Sequence, residues 1–548
     1  MSPRHNTQSV PLGKPGIRGW PVTARAIAFA LAFVAGPAMA QPVQTMQGPV
    51  TGTVLESGVR AWLGLPFAAP PVGDLRWQPP QPPVVRHAPL PATQFGPSCM
   101  QPLRDHGIAY YVGDDPVAED CLTLNIWAPA EKRAGLPVIV FIHGGSFVAG
   151  SARKPLYRGE ALAAKGAIVV GINYRLGALG FLALPDLSAE SASHASGNYG
   201  LMDQIAALRW VHDNIAAFGG DPSRVTVMGQ SAGAMAISLL QVSPAAQGLF
   251  QRIAALSGSF YTSAATDQLP TLEAAEKQGK AFQATLGASD LAALRRMPAD
   301  RIVAAQGPLA LPVVDGQVVP RSPAALYASR AVADVPILMG TARDEALIPL
   351  ASVTSLDAYR TAVTERFGSK APVVLRLYPA QADAQVPSAA RALAHDIGFS
   401  TMMRSWAGEQ VAHGRAPVYA YWFDRRHPYS PGVRFSDLDP QTTGVNHTDD
   451  VPFWLGTFDS LNGPHRTRDW AASDRALSDR MQAALIAFAA TGDPATPGLA
   501  WPRYDTTDER MIALGDTIRT LPWPDRDRMD ALAALGIPDV RTATEKRQ

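Results

Sequence analysis

Cysteine is nearly absent from this chain: two among 548 residues, Cys99 and Cys121, with no CxxC pair. That scarcity excludes a disulfide-dense scaffold and, with no paired histidines near the thiols, argues against a zinc site. Charge is also sparse, at 17% of residues, and nearly balanced at 48 basic against 47 acidic side chains. A nucleic-acid partner is normally met by a basic surface, so the balance argues against one. No internal repeat and no low-complexity tract interrupts the chain, which removes the solenoid and disordered classes. Beyond the first forty residues, no apolar run approaches the length of a membrane span.

What is present suits a large globular protein: 47% hydrophobic residues, with 48 prolines and 46 glycines spread along the chain as loop signals. Residues 1–40 read as an export signal. Arg4, Lys14, Arg18 and Arg25 are basic without an acidic neighbour, Ala26 to Ala35 is apolar, and Ala38-Met39-Ala40 offers a small-x-small cleavage site before Gln41. Removing four of the 48 basic residues leaves 44 against 47 acidic ones, a net charge of −3. The expectation is a secreted or periplasmic protein with no stable membrane span after cleavage. In such a compartment Cys99 and Cys121 are read as one disulfide, with two buried thiols as the alternative.

Near-continuous apolar runs at 136–142, 167–172, 225–228, 335–340 and 418–423 are expected as strands buried on both faces. Between them, residues 200–218 carry Leu201, Ile205, Leu208, Val211 and Ile215 at helical spacing. Alternating strand and helix imply a mostly parallel sheet covered on both faces. Residues 260–330 and 350–430 are read as helical insertions over that sheet. The expected layout is a signal over 1–40, one catalytic domain over 41–527, and a polar, fraying C-terminal tail over 528–548.

Gly229-Gln230-Ser231-Ala232-Gly233 carries the most chemistry. A serine between a strand and a helix, with glycine two residues away on each side, fits a nucleophile elbow: the turn lifts the hydroxyl above the sheet and leaves no room for flanking side chains. Such a serine needs a base, and the base an orienting acid. Asp344 and Glu345, just after the 335–340 strand, both fit the acid's place. Five histidines follow, His395, His413, His427, His447 and His465. Of these, His447 lies in a loop ahead of an apolar run; position alone does not decide among them. The oxyanion needs backbone donors, which the amide of Ala232 and the loop His143-Gly144-Gly145-Ser146-Phe147 after the 136–142 strand can supply.

These stretches make the chain resemble a type-B carboxylesterase, the group of para-nitrobenzyl esterases and cholinesterases. The resemblance runs from Gly52 to Pro524. Beside the serine and glycine loops it rests on Gly64-Leu65-Pro66-Phe67-Ala68-Ala69-Pro70-Pro71-Val72-Gly73, on Glu119-Asp120-Cys121-Leu122-Thr123-Leu124-Asn125, on 197–204, and on Phe218-Gly219-Gly220-Asp221-Pro222 through Gly233. It implies an α/β-hydrolase fold with helical insertions over the active site. It further implies Ser231 as nucleophile, Glu345 as orienting acid, His447 as base, Gly145, Ser146 and Ala232 as oxyanion donors, and a Cys99–Cys121 disulfide. The implied activity is hydrolysis of small-molecule carboxylic esters through an acyl-enzyme, without metal or organic cofactor, by a monomer or weak oligomer. A transacylase, lactonase or polyester hydrolase fits the same residues. So, from another class, does a non-catalytic adhesion module.

Three positions depart from the family pattern. Ala346 and Ser146 stand where glycine is usual, or for Ser146 glycine or alanine. His447 is followed by Thr448-Asp449-Asp450 rather than by a glycine and a single glutamate. Aspartates near the imidazole would favour its charged form. Arg425, Arg426 and Arg434 are read as surface charges, with a carboxylated substrate as their functional alternative.

Overall fold

The computed structural model describes residues 41–537, apart from 104, 262–268, 308–310, 347–348 and 464. The expected export signal lies outside the described residues. The frame is an eleven-stranded sheet. In chain order its strands are β1 (Thr53–Val54), β2 (Arg60–Pro66), β3 (Thr123–Ala128), β4 (Leu136–Ile142), β5 (Ile168–Ile172) and β6 (Gly220–Gln230), then β7 (Arg252–Leu256), β8 (Ile337–Ala342), β9 (Val418–Asp424), β10 (Arg510–Gly515) and β11 (Arg519–Pro522). Their spatial order is β11-β10-β9-β8-β7-β6-β4-β5-β3-β2-β1. Pairing is parallel from β5 through β10 and antiparallel at both edges.

The apolar runs become central strands because both faces of the sheet are covered. In β4, Val138, Val140 and Ile142 join the core on one face while Ile139 and Phe141 join the core on the other. On the first face lie α1 (Tyr199–Phe218) and α2 (Ala232–Leu240), which contribute Leu201, Leu208, Val211, Ile237 and Leu239. α1 stops at Gly219, whose φ of +103° closes the last turn as few residues other than glycine can.

Between β7 and β8 the chain forms α3 (Leu272–Thr285), α4 (Leu291–Arg296), α5 (Ala299–Ala305) and α6 (Pro323–Ala328). Thr271, Asp290 and Ser322 cap three of these by accepting backbone N–H bonds. Between β8 and β9 come α7 (Leu356–Phe367), α8 (Ala371–Leu377), α9 (Val386–His395) and α10 (Thr401–His413). The insertions expected at 260–330 and 350–430 are thus helical. α3–α5 pack Leu294 and Ile302 into an apolar cluster with Trp77, Leu179, Leu182 and Tyr199, and α7–α9 build one around Val374 and Leu393. The second sheet face is covered by α11 (Val451–Leu455) and α12 (Ala472–Thr491), through Phe453, Met481, Leu485 and Phe488.

One boundary needs correction. The tail expected to fray from 528 instead contains α13 (Arg526–Ala534), which buries Met529 and Leu532. Its apolar residues stand three apart among charged ones, so a composition reading sees polarity and misses the stripe. Among the described residues, no helix is long and apolar enough to cross a membrane. Cys99 and Cys121 form a disulfide with their Cα atoms 5.0 Å apart.

Candidate active site

β6 runs straight into α2, and Ser231 is the single residue between them. Its φ of +55° and ψ of −125° lie outside the regions L-residues favour, and such strain costs about 1–3 kcal/mol. Neighbouring glycines make the turn possible. A Cβ on Gly233 would sit 2.1 Å from the Ile142 carbonyl oxygen, and one on Gly229 would sit 2.6 Å from the Gly233 backbone. The Ser231 amide donates to the Leu256 carbonyl at 2.8 Å, and its own carbonyl accepts from Met235 at 2.9 Å. The turn is therefore tied to β7 on one side and to the first turn of α2 on the other.

His447 comes from the long connection between β9 and α11. Its Nδ1 lies 2.7 Å from Glu345 Oε2, and the other carboxylate oxygen accepts the Ala342 amide at 3.0 Å. Glu345 is fully buried. A carboxylate on Nδ1 holds the proton there and leaves Nε2 with its lone pair outward, the tautomer a general base needs. The acid pair divides its labour. Asp344 turns the other way, accepting from the Val445 amide at 2.8 Å and from Arg343 Nε at 2.9 Å. Among the described residues, Ala346 does not take a left-handed conformation, so the missing glycine there leaves no strain.

Ser231 and His447 line one cavity of about 440 Å³. Among the described residues, no hydrogen bond joins the Ser231 hydroxyl to the imidazole; Nε2 is instead 3.0 Å from the Gln230 carboxamide nitrogen. The same cavity wall contains Gly145 and Ser146. Gly145, Ser146 and Phe147 have φ values of +112°, +55° and +60°, a run of left-handed backbone that turns successive peptide units toward one side. Ala232 is the first residue of α2, and an amide at that position has no acceptor within its own helix. The Ser146 side chain removes no amide from this set.

Of the other histidines, His395 sits behind the acid, its Nδ1 3.1 Å from the Glu345 carbonyl. His413 pairs with Glu409 at 3.5 Å on α10, and His465 is exposed. His427, which follows Arg425-Arg426 in the sequence, is fully buried, with Nε2 2.9 Å from the Asp449 carbonyl. Burial, aided by the nearby Arg468 guanidinium, holds it well below the usual histidine range.

The aspartates after His447 are both fully buried. Burial pushes the carboxyl groups of Asp449 and Asp450 up to about 7. Asp450 accepts from the Tyr421 hydroxyl at 2.6 Å, and Asp449 from the Tyr110 hydroxyl and the Asn446 amide. Of the two, Asp450 lies close enough to His447 for the two to interact electrostatically. Arg425 and Arg426 are engaged elsewhere, with Asp474 and Asp516 and with the Pro440 and Gln441 carbonyls, and neither lines the cavity.

Three contributors escaped the sequence reading. Phe399 stacks on His447 with ring centroids 4.6 Å apart and planes 13° from parallel. It sits in a π-helical turn over Asp396–Ser400, broken at Gly398; such turns recur at functional sites, but nothing in the local sequence announces one. Six cavity residues, Pro102, Leu103, Ile108, Tyr110, Tyr111 and Val112, come from the loop closed by Cys99–Cys121. The third is Gln230, already in view as the serine's neighbour but with no role read for it.

Comparison with known proteins shows what the chain is similar to. The carboxylesterase family model matches residues 39–527. Fumonisin B1 esterase from Sphingopyxis macrogoltabida is 37% identical over 487 residues, covering 85% of this chain and 85% of that protein. Para-nitrobenzyl esterase from Bacillus subtilis is 36% identical over 511 residues, covering 90% and 98%. A solved structure of PNB esterase superposes with a TM-score of 0.77 at 35% identity, covering 90% of this chain and 99% of that one.

Proposed function

Because the chain belongs to the carboxylesterase family and is a carboxylic ester hydrolase, we propose that it cleaves small-molecule esters through an acyl-enzyme on Ser231, working after export. The Ser231 oxygen attacks the ester carbonyl while its proton passes to His447 Nε2. Glu345 keeps the imidazole in the receptive tautomer and stabilises the imidazolium that forms. The amides of Gly145, Ser146 and Ala232 receive the negative oxygen of the tetrahedral intermediate, each such donor contributing roughly a hundred- to a thousand-fold in rate. Collapse of that intermediate expels the alcohol, which takes the proton from Nε2. Water then enters, His447 removes its proton, and the acid leaves with Ser231 restored.

The observation that carries this reading is the 2.7 Å contact between Glu345 and His447 on the cavity that Ser231 also lines. The basic, acid-free leader and the single disulfide support export. Ser231→Ala is expected to abolish ester cleavage, by about a million-fold in kcat, while circular dichroism and Tm stay at the parent values. A fluorophosphonate probe is expected to add to Ser231 of the parent and not to the variant. Full activity in Ser231→Ala, or a folded parent that takes no probe, overturns the assignment. The second result would instead describe a binding module.

A further inference from the structure

Gln230 presents an arrangement that the reaction above leaves unused, and this inference rests on that reading of Ser231 and His447. Its carboxamide nitrogen donates in two directions, to His447 Nε2 at 3.0 Å and to the Thr448 hydroxyl at 3.0 Å. Its side chain is 98% buried, since only 2% of the residue is exposed. On its other side the carboxamide oxygen packs against the oxyanion loop, where a Cβ on Gly144 would lie 2.8 Å from it. The amide thus spans from the loop that holds the oxyanion donors to the loop that holds the base.

Thr448 supplies an independent sign that this contact is built. It has a φ of +80°, a conformation that a β-branched residue adopts only under strain. Glycine would hold the same turn without that strain but would bring no hydroxyl. The strained threonine places an acceptor for the second amide hydrogen of Gln230.

A neutral imidazole protonated on Nδ1 has one lone pair, on Nε2. That pair faces two suitors, the Gln230 amide and the Ser231 hydroxyl. We propose that Gln230 is a positioning residue that occupies the base's outward nitrogen in the resting enzyme and yields it to the Ser231 hydroxyl when an ester fills the cavity. The carboxamide is chemically unchanged throughout; the proton passes only between Oγ and Nε2. When it yields, it keeps the Thr448 hydroxyl, so one bond of the two is given up.

The consequence is readable in pH. A donor on Nε2 favours the unprotonated ring, so removing it lets the protonated, inactive form persist to higher pH. Other titratable groups surround the same imidazole: Glu345 from the loop after β8, Asp450 from its own loop, and Tyr110, Lys154 and Asp437 on the cavity wall. The π-helical turn presents only the Phe399 ring, its Asp396 being turned to Tyr378 and Arg528. All are common to parent and variant, so a difference between the two reports Gln230.

The test measures kcat and KM of the full-length enzyme for a neutral para-nitrophenyl ester across pH. In Gln230→Leu the acid limb of kcat/KM is expected to move upward by about 0.7 pH unit, the roughly fivefold effect of one neutral hydrogen bond, with KM unchanged. An unmoved or downward-moved limb overturns the proposal, whatever happens to the amplitude, because a purely structural role lowers amplitude alone. Should the leucine variant fail to fold, Gln230→Glu decides. Its carboxylate accepts rather than donates and adds a negative charge, so the limb must rise by about a unit or more; a limb that stays overturns the proposal equally. Fluorophosphonate addition to Ser231 of the parent is run alongside. If the probe adds and the limb stays, only the role of Gln230 falls; if the probe does not add, the reading of Ser231 falls with it.

Discussion

The proposed nucleophile and the proposed base are held by different means. Ser231 is fixed by main chain alone: a strand behind it, a helix ahead of it, and two glycines whose backbones touch what a side chain would displace. His447 lies on an irregular loop and is fixed by side chains from afar, Glu345 on one nitrogen, Gln230 on the other and Phe399 across its face. The first arrangement is set mostly by residues adjacent in sequence. The second is assembled from segments distant in sequence, with Glu345 102 and Gln230 217 positions from His447, so each contact can be altered without disturbing the fold.

Substitutions on the two sides should therefore fail differently. Among substitutions that keep the serine itself, the largest loss of rate with the fold intact is expected on the base side. Glu345→Gln keeps an oxygen for the Ala342 amide but presents an N–H to Nδ1, forcing the wrong tautomer, and kcat should fall by about 10⁴, the size of the same change in a serine protease triad. Urea unfolding should stay close to the parent curve; a comparable loss of stability would mean that Glu345 is a structural acid. On the nucleophile side, Gly233→Ala drives a Cβ to within 2.1 Å of the Ile142 oxygen. Overpacking of that kind costs about 1–3 kcal/mol or more, and a displaced Ser231 loses on the order of a hundredfold in rate. Here activity and urea midpoint should drop together. Activity lost without stability would erase the contrast.

The smallest effect concerns Asp450. Its folded carboxyl titrates at about 7, above an unfolded value of about 3.9. Its contribution to stability is therefore fully present below about pH 4 and fades as pH rises through 7. Relative to the parent, Asp450→Asn should gain stability between about pH 5 and pH 8, read as a rising difference in urea midpoint. Because the group is largely protonated across the acid range, the acid limb of activity should not move. A clear downward shift of that limb would show that Asp450 faces the imidazole as a charge after all.

The same contrast explains what could be read from the sequence. The strand–turn–helix placement of Ser231 was legible because its constraints are local: an apolar run, GxSxG and a helix start all fall within about a dozen residues. The oxyanion loop after β4 was legible for the same reason. His447 was not separable from four other histidines by position, and the choice of Glu345 over Asp344 came only through resemblance to a family. Which of two adjacent acids turns inward depends on Val445 and Arg343 competing for the other, and no spacing encodes that. Gln230 was in plain sight, yet its partner lies 217 positions away. α13 was missed because a two-residue apolar stripe is diluted by its charged neighbours.

The loop tied off by Cys99 and Cys121, only 22 positions apart, contributes six of the residues that face the cavity. None of them belongs to the reacting set. Much of the surface that meets an incoming molecule is thus one contiguous cassette with covalently joined ends. Selection, or an engineer, can exchange it whole and graft a new substrate preference onto unchanged chemistry.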